Sequence, residues 1–340
     1  MKIFAILLVQ DECDILEHVL SNASIYCDYV CVYDTGSVDG SIEIARKVEE
    51  NEKAVEVIFS ENVLFHEKKT RRHALSLIKD RLRPGDWVLW LDADEFIGLE
   101  VSEFRNFLKN TNANLIRHRH YNFGLNIKDL LKNPNYFKDG ECFERDYYKH
   151  YLEYAYVEIK CMRWNINMFD QLLGGRDLFF ATGHSSQRLP IIHYPYRNIK
   201  QMSKRLVLRN LVMEENKNEK FNKHWRVSTI KTFFIDTTHS RSKELKENTL
   251  RDDFLRMDGK IDPRFSTPKV LMIKLKQSIL KISFFREFLV SRKSVNMKDE
   301  LSDFKPVFKS ETFNKKLKNR YDEIDTNNIF DQIVKSPGNN

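Results

Sequence analysis

Four short apolar runs, KIFAILLV, YVCVY, AVEVIF and WVLWL, fall within the first 91 residues. None alternates apolar with polar residues as a strand with one wet face does, so each reads as a strand covered on both sides. The stretches between them have helical spacing. DILEHVLSNAS sets Ile15, Leu16, Val19 and Leu20 on one side, and SVDGSIEIARKVEEN sets Ile42, Ile44, Ala45 and Val48 inward. EKKTRRHALSLIKDRL is the third such stretch. Doubly covered strands separated by helices predict an α/β fold, a mainly parallel sheet flanked by helices. In such sheets the chemistry sits at the carboxyl ends of the strands. That rule lines up Gln10 to Glu12, Asp34 to Asp39, and Asp92 to Glu95 along one rim.

The fourth strand stops on acid, in GDWVLWLDADEFIG. One Asp suits any turn, but three acidic strand ends on one rim point to a site. Asp92 and Asp94, two apart in a turn, can both address a hard cation and leave positions for phosphate oxygens and water. Mg2+ and Mn2+ favour that coordination. On a rim rather than in the core, Asp94 is expected to be dispensable for folding. In VYDTGSVDGS, Gly36 and Gly40 permit a tight turn, and Ser37, Asp39 and Ser41 can cap the next helix. No GxGxxG or P-loop follows the first strand, so a nucleotide here would have its base and ribose held by carboxylates. LPIIHYPYRN offers His193 as a third ligand for manganese and Arg197 as a partner for a base or a phosphate. FHEKKTRRHAL gathers Lys68, Lys69, Arg71 and Arg72 at a helix start; at least two are read as a solvated helix face, and one facing the rim, taken as Arg71, as a contact for diphosphate or sugar.

Charge divides the chain. Residues 1–196 carry 24 Lys and Arg against 30 Asp and Glu, and residues 197–340 carry 32 against 19, which suggests two jobs. We expect a catalytic domain over residues 1–235 and a helical, basic C-terminal extension over 236–340 with a frayed polar tail. Residues 115–195 read as shorter strands and loops, followed by a basic helix from Arg197 to about Lys217. PKVLMIKLKQSILKISFFREFLV, within residues 268–293, predicts an amphipathic helix that either packs on the catalytic domain or lies in an anionic membrane surface. Five cysteines without a CxxC pair fit free thiols in a reducing cytoplasm. MKIFAILLVQDEC resembles a signal peptide for nine residues, but Gln10, Asp11 and Glu12 interrupt it, so it reads as the first buried strand. No apolar stretch is long enough for a transmembrane helix. Nucleic acid is not an expected partner, because the basic residues are spread among helical apolar positions rather than interleaved with aromatics.

Together, LLVQDECDILEHVL, VYDTGSVDGS, DWVLWLDADEF and IIHYPYRNIKQMSKRL resemble a family 2 glycosyltransferase of the GT-A fold, in a bacterial-type subgroup, over about residues 1–210. The resemblance implies a nucleotide-sugar donor, Mn2+ or Mg2+, and inversion at the anomeric carbon. It also implies a glycan or lipid-linked acceptor in cell-surface polysaccharide assembly, with the protein cytoplasmic or peripheral at the inner membrane face. It places Asp34 and Asp39 around base and ribose, Asp92 on the ribose side of the metal, and Asp94 and His193 on the metal. Two departures stand out. The opening loop has Asp11-Glu12 where the family has Asn-Glu. Where the family carries an acid as general base shortly before the downstream His, this chain reads ATGHSSQ, which leaves His184, Asp177 or Glu141 as the base. A sugar nucleotidyltransferase would want a Gly-rich, basic phosphate loop after the first strand, and none is present. A nucleic-acid-binding role for the basic half is the reading from another class.

Overall fold

A computed structural model describes residues 1–64, 67–139, 142–164, 172–174, 177–178, 184–215, 242–246, 248–255 and 307–335. The strands are β1 (Ile3–Val9), β2 (Tyr29–Asp34), β3 (Val55–Ser60), β4 (Val63–Leu64), β5 (Trp87–Asp92), β6 (Glu95–Ile97), β7 (Leu115–Gly124), β8 (His150–Arg163), β9 (Leu172–Gly174), β10 (Asp177–Leu178), β11 (His184–His193), β12 (Ser242–Glu244) and β13 (Val307–Phe308). The α-helices are α1 (Leu16–Tyr26), α2 (Ser41–Asn51), α3 (Glu67–Ile78), α4 (Val101–Asn110), α5 (Ile127–Lys132), α6 (Pro134–Asp139), α7 (Ile199–Glu215), α8 (Thr249–Leu255), α9 (Glu311–Asp322) and α10 (Thr326–Val334).

The main sheet runs β3-β2-β1-β5-β8-β7-β11-β6, with β12 beside β8. β3, β2, β1 and β5 are mutually parallel. β8 enters antiparallel to both β5 and β7, and β11 lies parallel to β7. β1, β2, β5, β7 and β11 therefore all point one way, and their carboxyl ends form one rim. The mixed α/β expectation holds.

Side-chain alternation explains why these runs are apolar throughout. Ile3, Ala5, Leu7 and Val9 enter one core with the inner faces of α1 and α2, while Phe4, Ile6 and Leu8 enter a second core with Ala74, Leu75 and Ile78 of α3. β5 divides likewise, Trp87, Leu89 and Leu91 to the first and Val88 and Trp90 to the second. Successive strand side chains point to opposite faces, so a strand with a core on each side has no polar position to spare.

Two expectations are corrected. Residues 115–195 contain three long strands, β7, β8 and β11, of 10, 14 and 10 residues. Their polar residues masked them, because several are buried in ionic contacts. The polar tail is not frayed over residues 311–334. Ser310 caps α9 by accepting from the Phe313 amide at 3.1 Å, and Asp325 caps α10 by accepting from Asn328 at 2.9 Å. Phe313 and Leu317 of α9 pack on Leu211 and Val212 of α7. The segment 268–293 and the domain boundary at 235/236 lie outside the described residues. Among the described residues no helix is long and apolar enough to cross a membrane.

Candidate active site

A cleft of about 270 Å3 opens at the carboxyl rim. The turns after β1 and β2 supply Gln10, Asp11, Glu12 and Thr35. The β5–β6 turn supplies Asp92 and Asp94, and β11 ends there in His193. α3 contributes Arg71, and α7 contributes Arg205 and Arg209. Lys309 and Tyr321 come from the C-terminal segment.

Asp94 is buried, with 4% of its surface exposed. Its Oδ1 lies 3.2 Å from His193 Nε2, and its Oδ2 accepts from Arg205 Nη2 at 2.8 Å. Burial opposes its charge, but His193 and Arg205 outweigh it and hold the carboxyl far below the usual carboxylate range. Arg205 also pairs with Glu12. His193 Nδ1 sits 2.8 Å from Asn122 Oδ1. An amide oxygen only accepts, so Nδ1 carries the hydrogen and Nε2 turns to Asp94. Burial lowers the His193 pKa, but the charge and hydrogen bond of Asp94 together with the charge of Glu95 raise it, and the net direction is up.

Asp92 faces the other way. Its Oδ1 accepts from Arg71 Nη2 at 2.8 Å, and the Arg71 guanidinium lies 5.8 Å from the Trp90 ring centre. Behind this turn Glu95 is fully enclosed. Its Oε2 accepts from the Asp92 amide at 2.9 Å and pairs with Lys160, and its Oε1 lies 2.7 Å from His120 Nε2. Burial works against the Glu95 charge, yet Lys160 holds its pKa down to about 2. The acidic turn is thus locked from below while Asp94 stays at the cleft.

The turn after β2 is locked as well. Asp34 accepts from the amides of Gly36 (3.0 Å) and Ser37 (3.2 Å) and from the hydroxyls of Ser37 (2.5 Å) and Ser60 (3.2 Å). Gly36 has φ +88°, and a Cβ there would meet Asn62, whose Cα would be 2.8 Å away. Asp39 accepts from the Ser41 amide at 3.1 Å and hydroxyl at 2.6 Å and lies 3.5 Å from Lys204.

The expected assignments change accordingly. Asp34 and Asp39 hold the loop's shape and do not line the cleft; its wall there is Thr35. Arg197, expected on the nucleotide, is 1% exposed and braces the β1 turn. It donates to Asp14 at 2.7 and 2.8 Å and to Tyr194 O at 2.7 Å, and it pairs with Glu12. Arg71, Asp92, Asp94 and His193 all line the cleft. His184 starts β11 opposite Leu115, at the far end of the strand from His193. The β7 residues opposite the two ends, Leu115 and Asn122, are seven apart, which at about 3.3 Å each puts His184 roughly 23 Å from the rim, too far for a general base. Asp177 lies in the β9–β10 ribbon; its side chain and all of Glu141 lie outside the described residues.

Among the described residues no group of three or more His, Cys, Asp or Glu could hold a metal. The expected Asp92, Asp94 and His193 set therefore reduces to Asp94 and His193, because Asp92 is turned to Arg71. A two-ligand set fits a magnesium- or manganese-type ion, which takes its remaining positions from phosphate oxygens and water.

No family model matches this chain, and no curated protein matches it. Among the solved structures that resemble it in part, three are as follows. S. aureus TarS is 13% identical with a TM-score of 0.35, over 65% of this chain and 41% of that one. The mannosyltransferase PcManGT from Pyrobaculum calidifontis, in complex with GDP-Man and Mn2+, is 12% identical with a TM-score of 0.37, over 62% and 61%. Mannose-6-phosphate isomerase from Helicobacter pylori is 14% identical with a TM-score of 0.26, over 36% and 51%. Each match spans less than two thirds of the neighbour's length. At such scores the likenesses carry no argument about chemistry, which rests on the site itself.

Arg205, Arg209, Lys309 and Tyr321 line the cleft but escaped the sequence reading. Arg205 and Arg209 were visible only as part of a basic helix leaving the His193 strand. Neither Lys309 nor Tyr321 belongs to any motif.

Proposed function

We propose that this protein is a glycosyltransferase that moves a sugar from a nucleotide-diphosphate donor to a hydroxyl acceptor. The observation that carries the reading is the β5–β6 turn, whose Asp94 meets His193 at 3.2 Å while Asp92 meets Arg71, in a cleft at the carboxyl ends of parallel strands. Arg71, Arg205, Arg209 and Lys309 line the same cleft as Asp11, Glu12, Asp92 and Asp94. A diphosphate with its cation suits such a mixture better than a neutral ligand does.

In this reading Asp94 and His193 would hold Mn2+ or Mg2+, which when bound supplies positive charge against the charge that develops on the departing diphosphate. Asn122 fixes the His193 tautomer, and Arg71 holds Asp92 in place beside the donor. The acceptor oxygen attacks the anomeric carbon as the bond to the diphosphate breaks, and its hydroxyl proton passes to Asp177 or Glu141, the two base candidates left once His184 is set aside. A single displacement of this kind inverts that centre. The GT-A arrangement of the family 2 resemblance, a glycan or lipid-linked acceptor in cell-surface polysaccharide assembly, and a cytoplasmic place at the inner membrane face belong to the same proposal.

A panel of nucleotide sugars, assayed for binding and hydrolysis with manganese and with EDTA, tests it. We expect one donor class to bind and turn over with manganese and to stop with EDTA. Failure of every nucleotide sugar to bind the purified full chain would overturn the reading.

A further inference from the structure

The C-terminal segment delivers a buried ammonium to this cleft. β13 pairs antiparallel with β4, Val307 opposite Leu64 and Phe308 opposite Val63, and the Lys309 amide donates to Asn62 O at 2.6 Å. That register carries Lys309 to the rim, 299 positions in sequence from Gln10. Its Nζ donates to Gln10 Oε1 at 2.6 Å and to the Thr35 carbonyl at 2.9 Å, with the Phe313 ring centre 5.6 Å away. The residue is only 9% exposed.

An ammonium has three N–H donors, and these contacts use two. Both acceptors are neutral. Arg71 faces the Asp92 carboxylate and Arg205 faces Glu12 and Asp94. Lys309, by contrast, has no carboxylate within ion-pair distance among the described residues; Asp11 and Asp34 act on it only from farther off. A buried cation is costly unless an anion answers it. A carbonyl oxygen of a base would fill the third N–H but leave the charge uncompensated. A phosphate oxygen would do both.

We propose that Lys309 is a phosphate-binding residue of the cleft, its third N–H and its charge met by a phosphate oxygen of a nucleoside diphosphate. The assignment rests on the donor reading above and adds a contact made by the C-terminal segment rather than by the sheet.

Calorimetric titration at pH 7 of the full chain and of Lys309→Met and Lys309→Gln, with UDP and GDP and with uridine and guanosine, tests it. A charge-assisted hydrogen bond contributes about 1.5–3 kcal/mol, so the diphosphate Kd should rise roughly 10- to 100-fold in both variants. The nucleoside Kd should stay unchanged. Melting curves of both variants establish that they are folded. Equal losses for nucleoside and diphosphate would make Lys309 a base contact and overturn the proposal. Unchanged diphosphate affinity in a folded variant would overturn it too, leaving the donor reading standing. Absence of any nucleoside diphosphate binding to the unsubstituted chain would instead overturn the donor reading, and this assignment with it.

Discussion

Tyr321 donates its phenolic hydrogen to Asp11 Oδ2 at 2.8 Å, joining residues 310 positions apart. Asp11 sits at φ +56°, a left-handed conformation that an L residue holds only when its surroundings fix it. Its other oxygen accepts from the Val38 amide at 2.7 Å. The bond therefore ties α9 to the one strained residue of the β1 turn.

Tyr321→Phe should destabilise the protein by about 1–2 kcal/mol at neutral pH, from loss of a hydrogen bond to a buried carboxylate. Burial, and then Asp39, raise the Asp11 pKa, and Tyr321 is one of the donors opposing them. A carboxyl raised on folding contributes stability below its unfolded pKa and loses it as pH rises through the folded value. The deficit of Tyr321→Phe should thus shrink in acid. Urea unfolding at several pH values checks this, and a pH-independent deficit would count against it.

Asp94→Asn should abolish transfer. The sequence reading made Asp94 a metal ligand dispensable for folding, but it is enclosed and holds both His193 and Arg205. The variant should also lose about 2 kcal/mol of stability, with Arg205 keeping only Glu12. Turnover with manganese and chemical unfolding measure the two effects. Near-normal turnover would remove Asp94 from the reaction.

Lys309→Met should stabilise the free protein. Burial pushes the Lys309 pKa down to about 8, with Asp11 and Asp34 opposing. A lysine lowered on folding penalises the native state while it is charged, so wild-type stability should rise between about pH 8 and pH 10.5 as the ammonium loses its proton. The variant should lack that rise and be about 1–3 kcal/mol more stable at pH 7. Gln10 Oε1 still accepts from the Thr35 hydroxyl and Thr35 O from the Val63 amide, so neither acceptor is stranded. Unfolding midpoints from neutral to alkaline pH decide the sign.

Lys160→Met should cost about 3–5 kcal/mol, because it leaves the Glu95 carboxylate buried without its main counter-charge. Replacing both, as Lys160→Met with Glu95→Leu, should recover most of the loss. Denaturation of the three variants forms the cycle, and a single-variant loss below about 1 kcal/mol would mean that Glu95 is neutral.

The first hundred residues were legible because one physical pattern governs them. A strand covered on both faces must be apolar throughout, and the carboxyl-end rule then places Asp92, Asp94 and Glu12 without further information. The direction of a side chain in a turn is not written in residue type. Asp34 and Asp39 turn to nearby amides and hydroxyls, and Arg197 turns to Asp14. β7 and β8 were hidden because His120 and Lys160 satisfy each other's neighbourhood through Glu95, so polar letters occupy buried positions. Lys309 had no signal at all. A two-residue ribbon sets its place, and nothing local in the sequence announces which distant edge that ribbon will meet.

The C-terminal wall also imposes an order on how the protein comes into being. All of the main sheet except β12, with its rim of acids, is encoded before residue 194, while Lys309 and Tyr321 leave the ribosome more than a hundred residues later. A nascent chain can build the parallel strands and the β11 end while the cleft still lacks one side. In the donor reading, full grip on a phosphate-bearing ligand would belong only to a chain translated past residue 321.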